Sequence, residues 1–113
     1  MTVLYGVPNC QKIRKTKALL EQLNIDYQFV NVKKTPISEE QLRTIVKQLG
    51  LQNVVNSKGP TYRKLDLKDK NLDDEALFQI LLKEQGMITR PLIQKGDQYW
   101  VGFDEEGIKK FVS

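Results

Sequence analysis

The chain has no histidine and only one cysteine, Cys10, among its 113 residues. Without an imidazole, Ser-His-Asp and Cys-His catalysis are excluded, because both need that group to move a proton. With a single thiol and no histidine, the common zinc sites built from these side chains are excluded as well. One thiol cannot form an intramolecular disulfide, which fits a reducing compartment, and a cytoplasmic location is expected. No run of about 18 apolar residues is present, so no segment reads as a membrane span. The opening Met-Thr-Val-Leu-Tyr-Gly leads directly into turn-forming residues and does not read as a secretory leader.

What is present describes one compact domain, residues 1–113. Hydrophobic residues make up 40% of the chain and charged residues 28%, enough apolar surface for a core of modest size. The net charge of +4 is spread along the chain, with local groups at Lys12, Arg14 and Lys15 and at Arg63 and Lys64. Such a balance is consistent with an anionic ligand, although most of these lysines read as a solvated surface. No aromatic-basic stacking motif is visible, so the sequence speaks weakly for nucleic acid.

Glycine and proline punctuate the elements. Val3–Tyr5 is a short apolar run ended by Gly6, Pro8 and Asn9, which predicts a strand and turn. From Cys10 to Leu23 neither Gly nor Pro occurs, and Ile13, Leu20 and Leu23, with Leu19 beside them, share a face. That pattern predicts a helix beginning at Cys10. Asp26–Val32 alternates and is rich in aromatic and β-branched residues, which predicts a second strand. Two strands joined by a helix of this length must pair in parallel, through a right-handed crossover.

Ser38 with Gln41 three residues later forms a capping-box pattern. Leu42, Ile45, Val46 and Leu49 continue it as a helix closed by Gly50. Asn53–Thr61 reads as a loop and Tyr62–Leu67 as a short helix or turn. Asp73 and Asp74 open another helix that Gly86 ends. Leu92–Lys95 and Gln98–Val101 flank Gly96-Asp97, the signature of a type II′ hairpin. Ile108, Phe111 and Val112 mark a last helix. The order is β-α-β, a helical middle section from about 36 to 86, then β-β-α. This is the α/β plan of the thioredoxin-like (glutaredoxin-like) class, with a mixed sheet and a helical insertion between its two units.

Three groups of residues could carry chemistry. Cys10 stands where a turn hands over to a helix, with Lys12 and Arg14 close behind. A helix start and nearby cations both favour a thiolate, the reactive form of cysteine. The alternative, a small inert core residue, stays open at this point. Thr89-Arg90-Pro91 precedes a strand. From the residues alone the Arg90-Pro91 bond reads as trans, the commoner state, while a cis bond would make a turn facing the thiol. Lys58 with Gly59, and Arg63 with Lys64, place cations in and after a Gly-containing loop, where the default reading is solvation.

These residues together resemble the arsenate reductase ArsC/Spx family, and most closely its YffB-like branch. The resemblance spans essentially the whole chain. It rests on Tyr5-Gly6 through Asn9-Cys10 and Arg14, on Asn56-Ser57-Lys58-Gly59 with Tyr62-Arg63-Lys64-Leu65, on Thr89-Arg90-Pro91, and on Val101-Gly102-Phe103. It implies that Cys10 is a nucleophile, that Arg90 binds an oxyanion, and that Pro91 follows a cis bond. It also implies that Lys58 occupies an anion-binding position and that Arg14 is the basic residue one turn after the cysteine.

Two departures argue against arsenate itself. Tyr99–Phe103 contains no arginine where arsenate reductases carry a further one, and Lys58 offers a point charge in place of a bidentate fork. Cys10-Gln11-Lys12-Ile13 lacks the second cysteine of an Spx-type disulfide switch. The expectation is an oxidoreductase, a thiol-dependent reductase with no bound cofactor or metal. Glutathione, the thiol the resemblance implies, would be co-substrate, held by Lys12, Arg14, Lys58, Arg63, Thr89, Arg90 and Pro91. The alternative is an Spx-like regulator that docks on the RNA polymerase α C-terminal domain. A monomer is expected.

Overall fold

A computed structural model describes residues 1–113. Strands β1 (Thr2–Gly6), β2 (Tyr27–Asn31), β3 (Leu92–Lys95) and β4 (Gln98–Val101) form one sheet in the order β2-β1-β3-β4. The β1–β2 pair is parallel, joined through helix α1 (Gln11–Gln22). The β1–β3 and β3–β4 pairs are antiparallel. Helix α2 (Glu39–Leu49), short helices α3 (Leu51–Val54) and α4 (Pro60–Lys64), and helix α5 (Asp74–Lys83) lie between β2 and β3, and α6 (Glu105–Val112) closes the chain. The expected β-α-β and β-β-α units and the mixed sheet are all present.

Alternation along the strands divides the core into two layers, because successive side chains of a strand point to opposite faces. Leu4 of β1 and Ile93 of β3 pack with Ile13, Leu19 and Leu20 of α1 and with Ile108 and Val112 of α6. Tyr5, Leu92 and Tyr99 face the other way, into a cluster with Leu42, Ile45, Val54, Phe78 and Leu81 of the insertion. The register pairs Leu4 with Ile93 and Tyr5 with Leu92, so both faces stay apolar across the central strands.

Several local readings change in the structure. Ser38 does cap α2, accepting from the Gln41 N–H at 3.2 Å. The Gln41 amide, however, does not complete a capping box. Its Nε2 donates to Tyr5 Oη at 2.9 Å and Tyr99 Oη at 3.2 Å, fastening α2 to the sheet. Burial is the main reason the Tyr5 hydroxyl is held above its ordinary pKa. The expected loop 53–61 contains the end of α3 and the start of α4, where Pro60 occupies a first-turn position that needs no N–H. The helix expected to run to Gly86 ends at Lys83, and Gln85–Met87 forms a 3-10 turn. That turn buries the Gln85 side chain, which is hydrogen-bonded at both ends to the Ile37 backbone. In the hairpin, Gly96 has φ +59°, the positive value required at the first central residue of a type II′ turn.

Two features generate measurable expectations. Gly6 ends β1 directly beneath Ile13, and a Cβ there would overlap the Ile13 side chain. Gly6→Ala should therefore push α1 off the sheet and destabilise the fold by about 1–3 kcal/mol in urea denaturation. On the far side, Arg43 of α2 bonds Glu39 at 2.8 Å and Glu75 of α5 at 2.9 Å, with its guanidinium 4.3 Å from the Phe78 ring centre. Hydrogen bonds from Arg43 first, and from Gln79 second, hold the Glu75 carboxyl at about 2, down from 4.5. The folded value is the depressed one, so the contribution is fully present above pH 4.5 and is lost as pH falls through about 2. It is small, because both groups are exposed. Acid titration of stability should be shallower over this window in Glu75→Gln.

Candidate functional site

The site assembles where three segments end. The first is the β1–α1 turn. Cys10 is the N-cap of α1, with φ −132° and ψ 127°, and its side chain makes no capping hydrogen bond. The thiol is free and half-buried. It touches the edge of the Leu4–Ile13 cluster on one side and lines an open cleft on the other. The inert-core reading and the functional reading thus each describe part of its surroundings.

The second segment is the loop leaving α3. The Val55–Ile88 pairing is an isolated antiparallel bridge. Thr89 N–H to Val54 C=O at 2.7 Å and Asn56 N–H to Met87 C=O at 2.9 Å flank it. This bridge sets Asn56, Lys58 and Gly59 against the third segment, Thr89-Arg90-Pro91. The Arg90–Pro91 peptide is cis, as the family resemblance implied and against the reading from the residues alone. Pro91 is buried, and its C=O accepts from Gly102 N–H at 2.9 Å where β3 begins and β4 ends.

The cleft these segments enclose has a volume of about 430 Å³. Cys10, Gln11, Lys12, Asn56, Lys58, Gly59, Pro60, Thr89 and Arg90 line it. Its charged side chains are all cations, with no carboxylate among the lining residues. Of the sequence-derived candidates, the structure therefore gathers Cys10, Lys12, Lys58, Thr89 and Arg90, with Pro91 buried behind them.

Two candidates are placed elsewhere. Arg14 is exposed and lies outside the cleft lining, and its recorded link to Cys10 is its N–H bonding the Cys10 C=O at 3.0 Å. The i, i+4 face relation holds between helical residues, and Cys10 at the cap has extended backbone. Arg63 also lies outside the lining, with Nη2 donating to the Lys58 C=O at 2.8 Å. Sequence reasoning gave no role to Gln11, Asn56 or Pro60. The Asn56-Ser57-Lys58-Gly59 run carried a usable signal for Asn56, since asparagine two residues before a bonded N–H is a turn former.

A mixed sheet with a β-α-β unit, a hairpin unit, a thiol at the first helix start and a cis-proline before the third strand defines a thioredoxin-like domain. The chain belongs to the ArsC family, whose model matches residues 5–111. It is similar in structure to a protein named YFFB, with a TM-score of 0.91, 30% identity and 100% of both chains covered. It is also similar to the arsenate reductase from Vibrio cholerae, with a TM-score of 0.82 and 33% identity over 96% of this chain and 95% of that one. In sequence it is 29% identical to the global transcriptional regulator Spx of Listeria innocua, over 99% of this chain and 87% of that protein.

An all-cationic lining should be visible in the thiol's choice of reagent. Relative to N-acetylcysteine, Cys10 should react faster with anionic iodoacetate than with neutral iodoacetamide. The preference should shrink as salt is raised and fall roughly threefold, the effect of one screened unit charge, in Arg90→Ala. An equal rate with both reagents would mean that the cations do not act at the sulfur.

Proposed function

We infer that this protein is a thiol-dependent reductase that uses Cys10 as nucleophile and takes its second thiol from glutathione. The observation that carries this reading is a lone, half-buried thiol opening onto a cleft whose charged lining is entirely cationic. Membership of the ArsC family and similarity to an arsenate reductase support it.

The chemistry follows from the residues present. The Cys10 thiolate attacks the glutathionyl sulfur of a mixed disulfide R–S–S–G. A Cys10–S–S–G bond forms as the S–S bond of the substrate breaks, and the departing R–S⁻ takes a proton from solvent. The chain holds no second cysteine to resolve the adduct. The thiolate of a free glutathione therefore attacks, releasing oxidised glutathione and restoring the Cys10 thiolate. The substrate gains two electrons and two glutathione sulfurs are joined, so the exchange balances.

Binding would use the same cleft. Glutathione carries a carboxylate at each end, and Lys12, Lys58 and Arg90 supply opposite charges. The backbone N–H and C=O of Arg90 make no hydrogen bond within the chain, which leaves them available to an extended peptide beside Pro91. Lys58 is a point charge rather than a fork, so it can attract a carboxylate but gives no bidentate clamp for a compact oxyanion.

Turnover of a glutathionylated substrate with glutathione should vanish in Cys10→Ser. Incubating the wild type with oxidised glutathione should add one glutathionyl group by mass. Unchanged turnover in Cys10→Ser would sink this reading. A second reading, a regulator binding the RNA polymerase α C-terminal domain, is favoured by the match of 99% of the chain to Spx. It predicts capture of that domain by the Cys10→Ser variant as well as by the wild type.

A further inference from the structure

Lys58 is held at the cleft by its peptide group rather than by its side chain. It sits on a loop, exposed, and its side chain makes no hydrogen bond or ion pair. Its peptide group, by contrast, is gripped from both sides. The Lys58 N–H donates to Asn56 Oδ1 at 3.2 Å. The Lys58 C=O accepts from Arg63 Nη2 at 2.8 Å. The next residue closes the turn, with Gly59 N–H bonding the Asn56 C=O at 3.2 Å. Gly59 is buried, and a Cβ there would come within 2.9 Å of Asn56 Nδ2, so glycine lets the turn close tightly on Asn56. Asn56 is itself fixed by its N–H bond to Met87 C=O, the same bridge that holds the Arg90-Pro91 turn.

An exposed loop lysine with a free backbone would sample many positions and contribute little directed charge. A charge-assisted bond from a guanidinium to a carbonyl is among the stronger ways to remove that freedom. Arg63 is the one cation near this loop whose guanidinium is engaged with backbone rather than presented to the cleft.

We propose that Asn56 and Arg63 are positioning residues that fix the Lys58 peptide, and with it the root of the Lys58 side chain, at the cleft, so that Lys58 contributes directed charge to the selection of a thiol bearing a carboxylate. Neither residue hydrogen-bonds the Cys10 sulfur; both act through the Lys58 peptide. The proposal rests on the reading of the cleft as a thiol site. It goes beyond that reading by assigning the selection of anionic over neutral thiols to a braced loop.

The test uses the ratio of iodoacetate to iodoacetamide alkylation of Cys10 in the full chain, a readout that needs no glutathione turnover. Lys58→Ala should lower the ratio roughly threefold, the effect of one screened unit charge. Arg63→Ala and Asn56→Ala should lower it by a similar factor. In the Lys58→Ala background neither substitution should lower it further, because they act only through Lys58. Arg63→Lys, which keeps a donor for the carbonyl, should restore most of the ratio. In parallel, Arg63→Ala should raise KM for glutathione more than it lowers kcat.

The proposal is overturned if Lys58→Ala leaves the ratio unchanged, or if Arg63→Ala and Asn56→Ala do. It is equally overturned if Arg63→Ala lowers the ratio by the same factor with and without Lys58, since Arg63 would then act by its own charge. A chain that shows the predicted ratios but no glutathione-linked turnover would refute the reductase reading and leave this assignment standing.

Discussion

The short bridge between Val55 and Ile88, with Thr89 N–H on Val54 C=O and Asn56 N–H on Met87 C=O, is the contact on which the site depends. Val54, Val55, Met87 and Ile88 are all buried, so the hydrogen bonds sit in an apolar setting where leaving them unmade would be costly. Segments more than thirty residues apart in the chain are joined there. One carries Lys58 and the other carries Arg90, and both then face the end of β1 and the start of α1, where Cys10 lies. Without the bridge, the helical insertion would still pack on the sheet through Leu42, Ile45 and Phe78. The cationic wall opposite the thiol would not be assembled.

The sheet supplies the other half of the geometry. Its strands are apolar on both faces, so it must be covered twice, by α1 and α6 on one side and by the insertion on the other. Cys10 falls at the boundary, where the β1–α1 turn emerges between the layers. This explains its double character: part of it rests on the Leu4–Ile13 cluster, and part is open to the cleft. The polar fastening by Gln41 between Tyr5 and Tyr99 holds the insertion to the sheet.

Much of the fold was readable because its signals are local. The alternation in β2, the Gly96-Asp97 hairpin, the Ser38 and Asp73 caps and the apolar face of α1 all correspond to observed elements. The misreadings share one cause. The Gln41 amide and the end of α5 were each decided by a distant partner, Tyr5 and Tyr99 for the first and the Ile37 backbone for the second. Within the site, Cys10, Lys12, Lys58, Thr89 and Arg90 were identifiable from residue type and family pattern. Arg14 and Arg63 were assigned to the cleft on charge and spacing, and neither property shows which way a side chain turns.

By itself, then, the sequence determined the chemistry available here. A single thiol, no imidazole and a surplus of cations bound the side-chain chemistry on offer, and local periodicity dictates strands and helices in their order. Only the tertiary structure decided which cations meet the thiol and which do other work. Lys58 and Arg63 are five residues apart and alike in charge, yet one lines the cleft while the other holds its neighbour's carbonyl. Charge is a property of the residue. Direction is set by the hydrogen bonds that the fold closes, here Arg63 Nη2 on the Lys58 C=O beside an Asn56 held by the Met87 C=O.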